Sequence, residues 1–176
     1  VYNTGGFDSL AALMLLDNIV DVYLPDAKYA DKRAGAFCSE AENYARVNRL
    51  ALREMFRQVG PLQTNADGLA AQGVLIRHLV LPHDLSGTGR LLSRLAREFG
   101  PGVRLSLMAQ YFPCHLVAGD PAQFPELARP LTKAEYEAAL DAAERLGLEN
   151  VFIQELSASE SYVPDFGSPE VFARTD

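Results

Sequence analysis

The stretch VLIRHLVLP, residues 74–82, decides the fold. Apart from Arg77 and His78 it is one apolar run, closed by Pro82. A strand with one wet face alternates apolar and polar residues. A near-continuous run suits a strand covered on both faces, as parallel strands usually are. Just upstream, Asn65-Ala66-Asp67-Gly68 has turn composition and predicts a small hairpin. Further back, SEAENYARVNRLALREMFRQVG (39–60) carries helical apolar spacing at Ala45, Leu50, Leu52, Met55, Phe56 and Val59, and Gly60-Pro61 stops it. IVDVYLP (19–25) is a short β-rich run ended by Pro25. SLAALMLLDN (9–18) predicts a helix capped by Ser9 or Asp8, and Val1-Tyr2 reads as the end of a strand.

Downstream, Gly87-Thr88-Gly89 opens a second amphipathic helix, RLLSRLAREFG, and VRLSLMAQY (103–111) is another strand. LTKAEYEAALDAAERLG (131–147) predicts a helix begun by a Thr132/Glu135 capping box. VFIQEL (151–156) is a last short strand, and residues 157–176 are expected to be an extended tail. Strand and helix alternate throughout, which predicts an α/β fold with parallel strands.

A chain of 176 residues is sized for one domain, and 48% hydrophobic with 22% charged residues is a globular balance. The core needs no disulfide or metal to hold it. A net charge of −7 argues against nucleic acid or an anionic membrane as a general partner. The apolar runs are too short to span a bilayer, and no signal-peptide pattern is visible. Cys38 and Cys114 are the only cysteines, so a reducing, cytoplasmic compartment is expected. Both thiols read as small, partly buried hydrophobes. CxxC, HExxH and CxxxCxxC are absent.

Parallel β/α folds gather functional groups at the carboxyl ends of their strands. Those ends here offer Asn3 and Thr4, then Asp26 and Lys28, then Arg77, His78, His83 and Asp84, and finally Gln110 and Tyr111 with Cys114 and His115 close behind. They are donors and acceptors rather than a nucleophile and its base. Asp26 and Lys28, two apart, project to one side and are costly to bury without a charged ligand or each other. The plainer reading is a loop ion pair. Arg77 either faces a cavity and meets an anion or snorkels off an edge. The three histidines lack metal-ligand spacing, and Gly87-Thr88-Gly89 is either a phosphate cradle or an ordinary helix cap.

Five stretches in order, VYNTGGFDS, DVYLPDAKYAD, REMFRQVG, GVLIRHLVLP and LSLMAQYFP, resemble radical S-adenosylmethionine proteins similar to pyruvate formate-lyase activating enzymes. The resemblance covers roughly residues 1–146 and implies a partial parallel β/α barrel (TIM-like), with this chain, 1–156, supplying the later strands. It implies two cofactors: S-adenosylmethionine, and a [4Fe–4S] cluster held by the three cysteines of a CxxxCxxC motif. The chain has neither that motif nor the glycine-rich segment that helps hold the methionyl amine. Two distant cysteines do not meet the three-thiolate requirement, so the cluster ligands are expected outside this chain. The implied cofactor-binding residues are Asn3, Thr4, Asp26, Lys28, Arg77, Gln110 and Tyr111. Asp26 and Lys28 match an Asp-x-Lys at a strand end, Arg77 an arginine that reaches the cofactor carboxylate, and Asn3-Thr4 an Asp-Thr pair in which Asn replaces Asp. His115 lies near a strand-end histidine of relatives. The resemblance assigns no catalytic residue or metal ligand to this chain. The intact protein would take a hydrogen atom from a partner protein, of the glycyl-radical type, or from another substrate. Two other readings remain open at this point: a cluster-free remnant serving as a binding or scaffolding module, and an unrelated β/α enzyme using Asp26 and Lys28 as acid and base.

Overall fold

The computed structural model describes residues 1–154. The expected tail, 157–176, and the end of the last expected strand lie outside them. In chain order the elements are β1 (Tyr2–Thr4), α1 (Leu10–Met14), β2 (Val22–Pro25), α2 (Lys32–Ser39), α3 (Tyr44–Val59), β3 (Gln63–Thr64), β4 (Ala70–Val74), β5 (Ile76–Leu79), α4 (Thr88–Phe99), β6 (Leu105–Met108), α5 (Leu116–Gly119), α6 (Lys133–Arg145) and β7 (Val151–Ile153).

The chain is α/β with parallel sheets. β1 pairs with β2, and β2 with β4, all parallel; β3 folds back antiparallel on β4 as the predicted hairpin. β5, β6 and β7 form a second parallel set. Leu75 alone separates β4 from β5, and the two sets are stitched there. Leu75 N–H donates to the Tyr23 carbonyl at 3.0 Å, Ala27 N–H donates to the Arg77 carbonyl at 2.7 Å, and Asp26 sits opposite Arg77. The parallel strands therefore lie side by side in chain order with no reversal. The outer strands do not meet, so no closed barrel forms among the described residues.

Burial alternates residue by residue along β5 and β6. Tyr23, Val74, Ile76, Leu105 and Leu107 are buried beneath the helices. They pack with Leu52 and Met55 of α3, with Leu91, Leu92 and Leu95 of α4, and with Tyr136, Ala139 and Ala143 of α6. Each large aliphatic side chain buried there contributes about 1.5–3 kcal/mol. The intervening positions, Leu24, Asp26, Leu75, Arg77, Leu79, Ser106 and Met108, are only half-buried. The reading of 74–82 as covered on both faces thus needs correction. One face lies open, and Leu79 and Leu81 on it line a cavity instead of packing under a second layer.

Local differences have local causes. α1 stops at Met14, capped by Ser9 as expected (Ala12 N–H donates to its Oγ at 3.1 Å). α2 falls where the sequence reads as loop. Asp31 starts it by accepting from Ala34 N–H at 3.0 Å, and Gly35 in its middle hid the pattern. Thr132 and Glu135 form the predicted capping box. No described helix is long and apolar enough to cross a membrane.

His78 is a core histidine. Its Nδ1 lies 2.6 Å from the Ala27 carbonyl and its Nε2 2.9 Å from Thr88 Oγ1, so it pins β5 to the loop after β2 and to the start of α4. Burial lowers its pKa from 6.5 to about 4. Below pH 6.5 the unfolded chain binds a proton that the folded chain resists. Stability is therefore full above about pH 6.5 and falls as the pH drops toward 4, by on the order of 3 kcal/mol from this group. Urea unfolding between pH 7.5 and 4.5 is expected to show that fall in the wild type and not in His78→Gln. Equal slopes would remove His78 as its source.

Candidate functional site

The open face places its charges together because β2 and β5 run parallel and in register. Asp26 and Lys28 follow β2 at period two and share that face. Arg77 faces it from the neighbouring strand. Arg77 Nε donates to Asp26 Oδ1 at 2.9 Å, and its Nη2 lies 2.7 Å from the same oxygen. Arg77 Nη2 also donates to Asn3 Oδ1 on β1 at 2.8 Å. Lys28 Nζ stands 4.0 Å from Asp26 Oδ2. The Asp26 and Arg77 side chains are 19% and 26% exposed, so water screens this pair less than it screens a surface bridge. Two cations share one carboxylate, which leaves a surplus positive charge in a chain of net −7.

Asp26, Lys28 and Arg77 line one side of a cavity of about 400 Å³ at the carboxyl ends of β2, β5 and β6. Gln110 and Tyr111, after β6, line the wall opposite, with Leu79, Leu81 and Met108 as apolar floor. Gln110 Oε1 accepts from Gln154 Nε2 at 3.2 Å. Tyr111 donates its hydroxyl to the Leu127 carbonyl at 2.7 Å, and burial raises its pKa to about 12, so it offers the cavity a ring rather than a phenolate. Five of the seven expected residues line this cavity, and Asn3 joins through Arg77.

Thr4 is the exception. It lies one position past Asn3 and so takes the opposite parity of the strand. Its Oγ1 donates to Asp8 Oδ2 at 2.7 Å and accepts from Gly6 N–H at 3.2 Å, shaping the turn out of β1 instead of the cavity. His115 is exposed and is not among the lining residues, although Cys114 and Val117 on either side are. His83 contacts Arg129, 3.1 Å from its Nε2. Cys38 also lines the cavity, but burial raises its thiol pKa to about 11, which suits the reading of an inert thiol. Among the described residues no three His, Cys, Asp or Glu side chains converge as metal ligands.

Two residues that sequence reasoning passed over hold the site in shape. Tyr44 and Asn48 lie on the buried stripe of α3. Asn48 Nδ2 donates to the Gly6 carbonyl at 3.0 Å and the Asp26 carbonyl at 2.8 Å. The Tyr44 hydroxyl lies 2.8 Å from the Gly5 carbonyl and accepts from Lys28 N–H at 3.1 Å. Burial raises its pKa, so it stays a neutral donor. Together they fix the loops after β1 and β2, and with them Asp26 and Lys28. The signal was their i, i+4 spacing in register with Ala51, Leu52 and Met55.

Comparison with known proteins adds length rather than chemistry. The chain is 27% identical over 156 residues, 86% of its length, to an uncharacterized protein of Methanocaldococcus jannaschii. It spans 40% of the length of that curated relative. No protein-family model matches the chain. No solved structure matches it.

Proposed function

We propose that this chain is the carboxyl-side portion of a radical S-adenosylmethionine enzyme of the pyruvate formate-lyase activating type, and that its strand-end cavity takes part of the S-adenosylmethionine. The observation that carries this reading is the Asn3–Arg77–Asp26–Lys28 cluster at the mouth of an apolar-floored cavity. Its volume of about 400 Å³ falls in the small-ligand range. A surplus cation suits a carboxylate, and Asp26 suits an amine or a sulfonium. Gln110 offers amide donors, and Leu79, Leu81 and Met108 offer apolar surface to a ring. The chain's own residues thus bind and orient; they move no proton and supply no nucleophile.

The strand order supports the finer fold reading. Strands laid down in sequence without reversal are wound as in a β/α barrel, whereas a doubly wound sheet reverses at a switch point. The open, half-polar face would then be the barrel interior. When bound beside a reduced iron–sulfur cluster, S-adenosylmethionine supplies a 5′-deoxyadenosyl radical for hydrogen-atom abstraction, here from a protein partner or another substrate. Cys38 and Cys114 do not make a cluster-ligand set, so no step is routed through a cluster on these residues. A longer protein would have to bring those ligands, and a relative of which this chain spans 40% has the length for them.

The test is to read the coding frame upstream of the Val1 codon and express the whole frame. A CxxxCxxC motif, the absorbance and electron paramagnetic resonance of a [4Fe–4S] centre after anaerobic reconstitution, and reductant-dependent release of 5′-deoxyadenosine are expected. A frame without a cysteine triplet would sink the proposal.

A further inference from the structure

The outer layer of helices holds a second charged concavity that shares no lining residue with the strand-end cavity. A groove of about 450 Å³ between α3 and α4 is lined by Arg49, Arg53, Arg94, Arg97 and Glu98. Four guanidinium groups there face one carboxylate, a formal +3, in a chain whose net charge is −7. Arg49 Nε donates to Glu98 Oε2 at 3.0 Å, and Arg53 Nε donates to Glu98 Oε1. That arrangement accounts for the Nε groups alone. Among the described residues the terminal nitrogens of Arg49 and Arg53 make no hydrogen bond, and Arg94 and Arg97 pair with no carboxylate. The strongest sign of a missing partner is Arg94. Its Nη2 is sealed from solvent with nothing to donate to. Burial also lowers its pKa, and a bound anion would act in the opposite direction.

A solvated helix face does not explain this pattern, because solvated arginines splay apart and hydrate. Here like charges converge and one donor is dry, which costs free energy unless an anion completes the set. Guanidinium forks match the spacing of oxygens on a tetrahedral phosphorus group and bind it in bidentate fashion.

We propose that the α3–α4 groove is an oxyanion site for the phosphate or pyrophosphate group of a small phosphorylated ligand. Arg97 supplies the exposed fork, Arg94 stands behind it with a buried donor that the fold leaves unpaired, and Glu98 holds Arg49 and Arg53 in place beside them. The site stands independently of the cofactor reading, since it lies on the other side of the helical layer from the open face of the sheet.

Inorganic pyrophosphate is the probe. Titration calorimetry on the full chain, in chloride buffer matched for ionic strength, is expected to show saturable binding. Arg94→Gln and Arg97→Gln should each weaken it tenfold or more, about 1.4 kcal/mol. Lys133→Gln, an exposed side chain paired with Glu137, should leave it unchanged. Should Arg94→Gln fail to fold, exposed Arg97 still decides the matter. No saturable heat, or wild-type affinity in Arg97→Gln, would overturn the proposal.

Discussion

Gly6→Ala is expected to lower the unfolding free energy by about 3 kcal/mol or more, among the largest single effects in this chain. Gly6 turns the chain out of β1 at φ +70°, in the left-handed region that costs a residue with a Cβ about 1–2 kcal/mol. A Cβ there would also stand 2.0 Å from the Asp26 carbonyl oxygen and 2.4 Å from Asn48 Nδ2. Neither neighbour can yield cheaply. The carbonyl is backbone and already accepts from Asn48, and Asn48 is fully buried. Gly147, just past α6, supplies the control. Its φ is similar, +65°, but nothing lies within 4 Å of its would-be Cβ, so Gly147→Ala should show the backbone cost alone. Urea unfolding of both variants separates the two causes. Equal losses would mean that the close approach of the loops after β1 and β2 contributes nothing. A larger loss in Gly6→Ala would assign the difference to that approach, on which the placement of Asp26 and Lys28 depends.

The same loops show what could be read from sequence and what could not. Strand order and direction were legible because β-rich runs alternate with helical spacing, and that alternation leaves few topologies. Asp26, Lys28, Arg77 and Gln110 were legible because the ends of parallel strands collect functional groups and period two fixes which residues share a side. Thr4 was not. In a strand of three residues, one step of register turns a side chain from one face to the other. Tyr44 and Asn48 were missed because the helix was read through its apolar residues, while the polar members of the same stripe do the fastening. The openness of one sheet face left no mark in 74–82 either. Leu79 and Leu81 are as apolar as residues beneath a helix, and only their neighbours in space show that they floor a cavity. The arginines of α3 and α4 look like an ordinary charged helix face until the two helices are set side by side.

Arg77→Met is expected to reduce affinity for S-adenosylmethionine tenfold or more while leaving the fold in place. Arg77 is the hub of the cluster, bonded to Asp26 on β2 and Asn3 on β1. Its loss leaves Asp26 with only Lys28, 4.0 Å away, and removes the surplus positive charge. The stability cost should be modest, about 1–3 kcal/mol, because Asp26 keeps partial solvent access and one cation. Asp26→Asn should relieve that cost when combined with Arg77→Met, since the double variant leaves no unpaired carboxylate. Ligand chemistry then separates recognition from general damage. 5′-Methylthioadenosine keeps the adenine and ribose of S-adenosylmethionine but lacks its carboxylate and amine. If Arg77 meets the carboxylate, Arg77→Met should weaken binding of S-adenosylmethionine and hardly change binding of 5′-methylthioadenosine. Parallel loss for both ligands would make Arg77 a strut of the cavity wall, and unchanged affinity for both would remove this wall from the cofactor reading. The Asp26–Lys28–Arg77 geometry favours the first outcome. Two cations on one carboxylate are a costly arrangement in a half-buried wall, and a second carboxylate is the group that balances it.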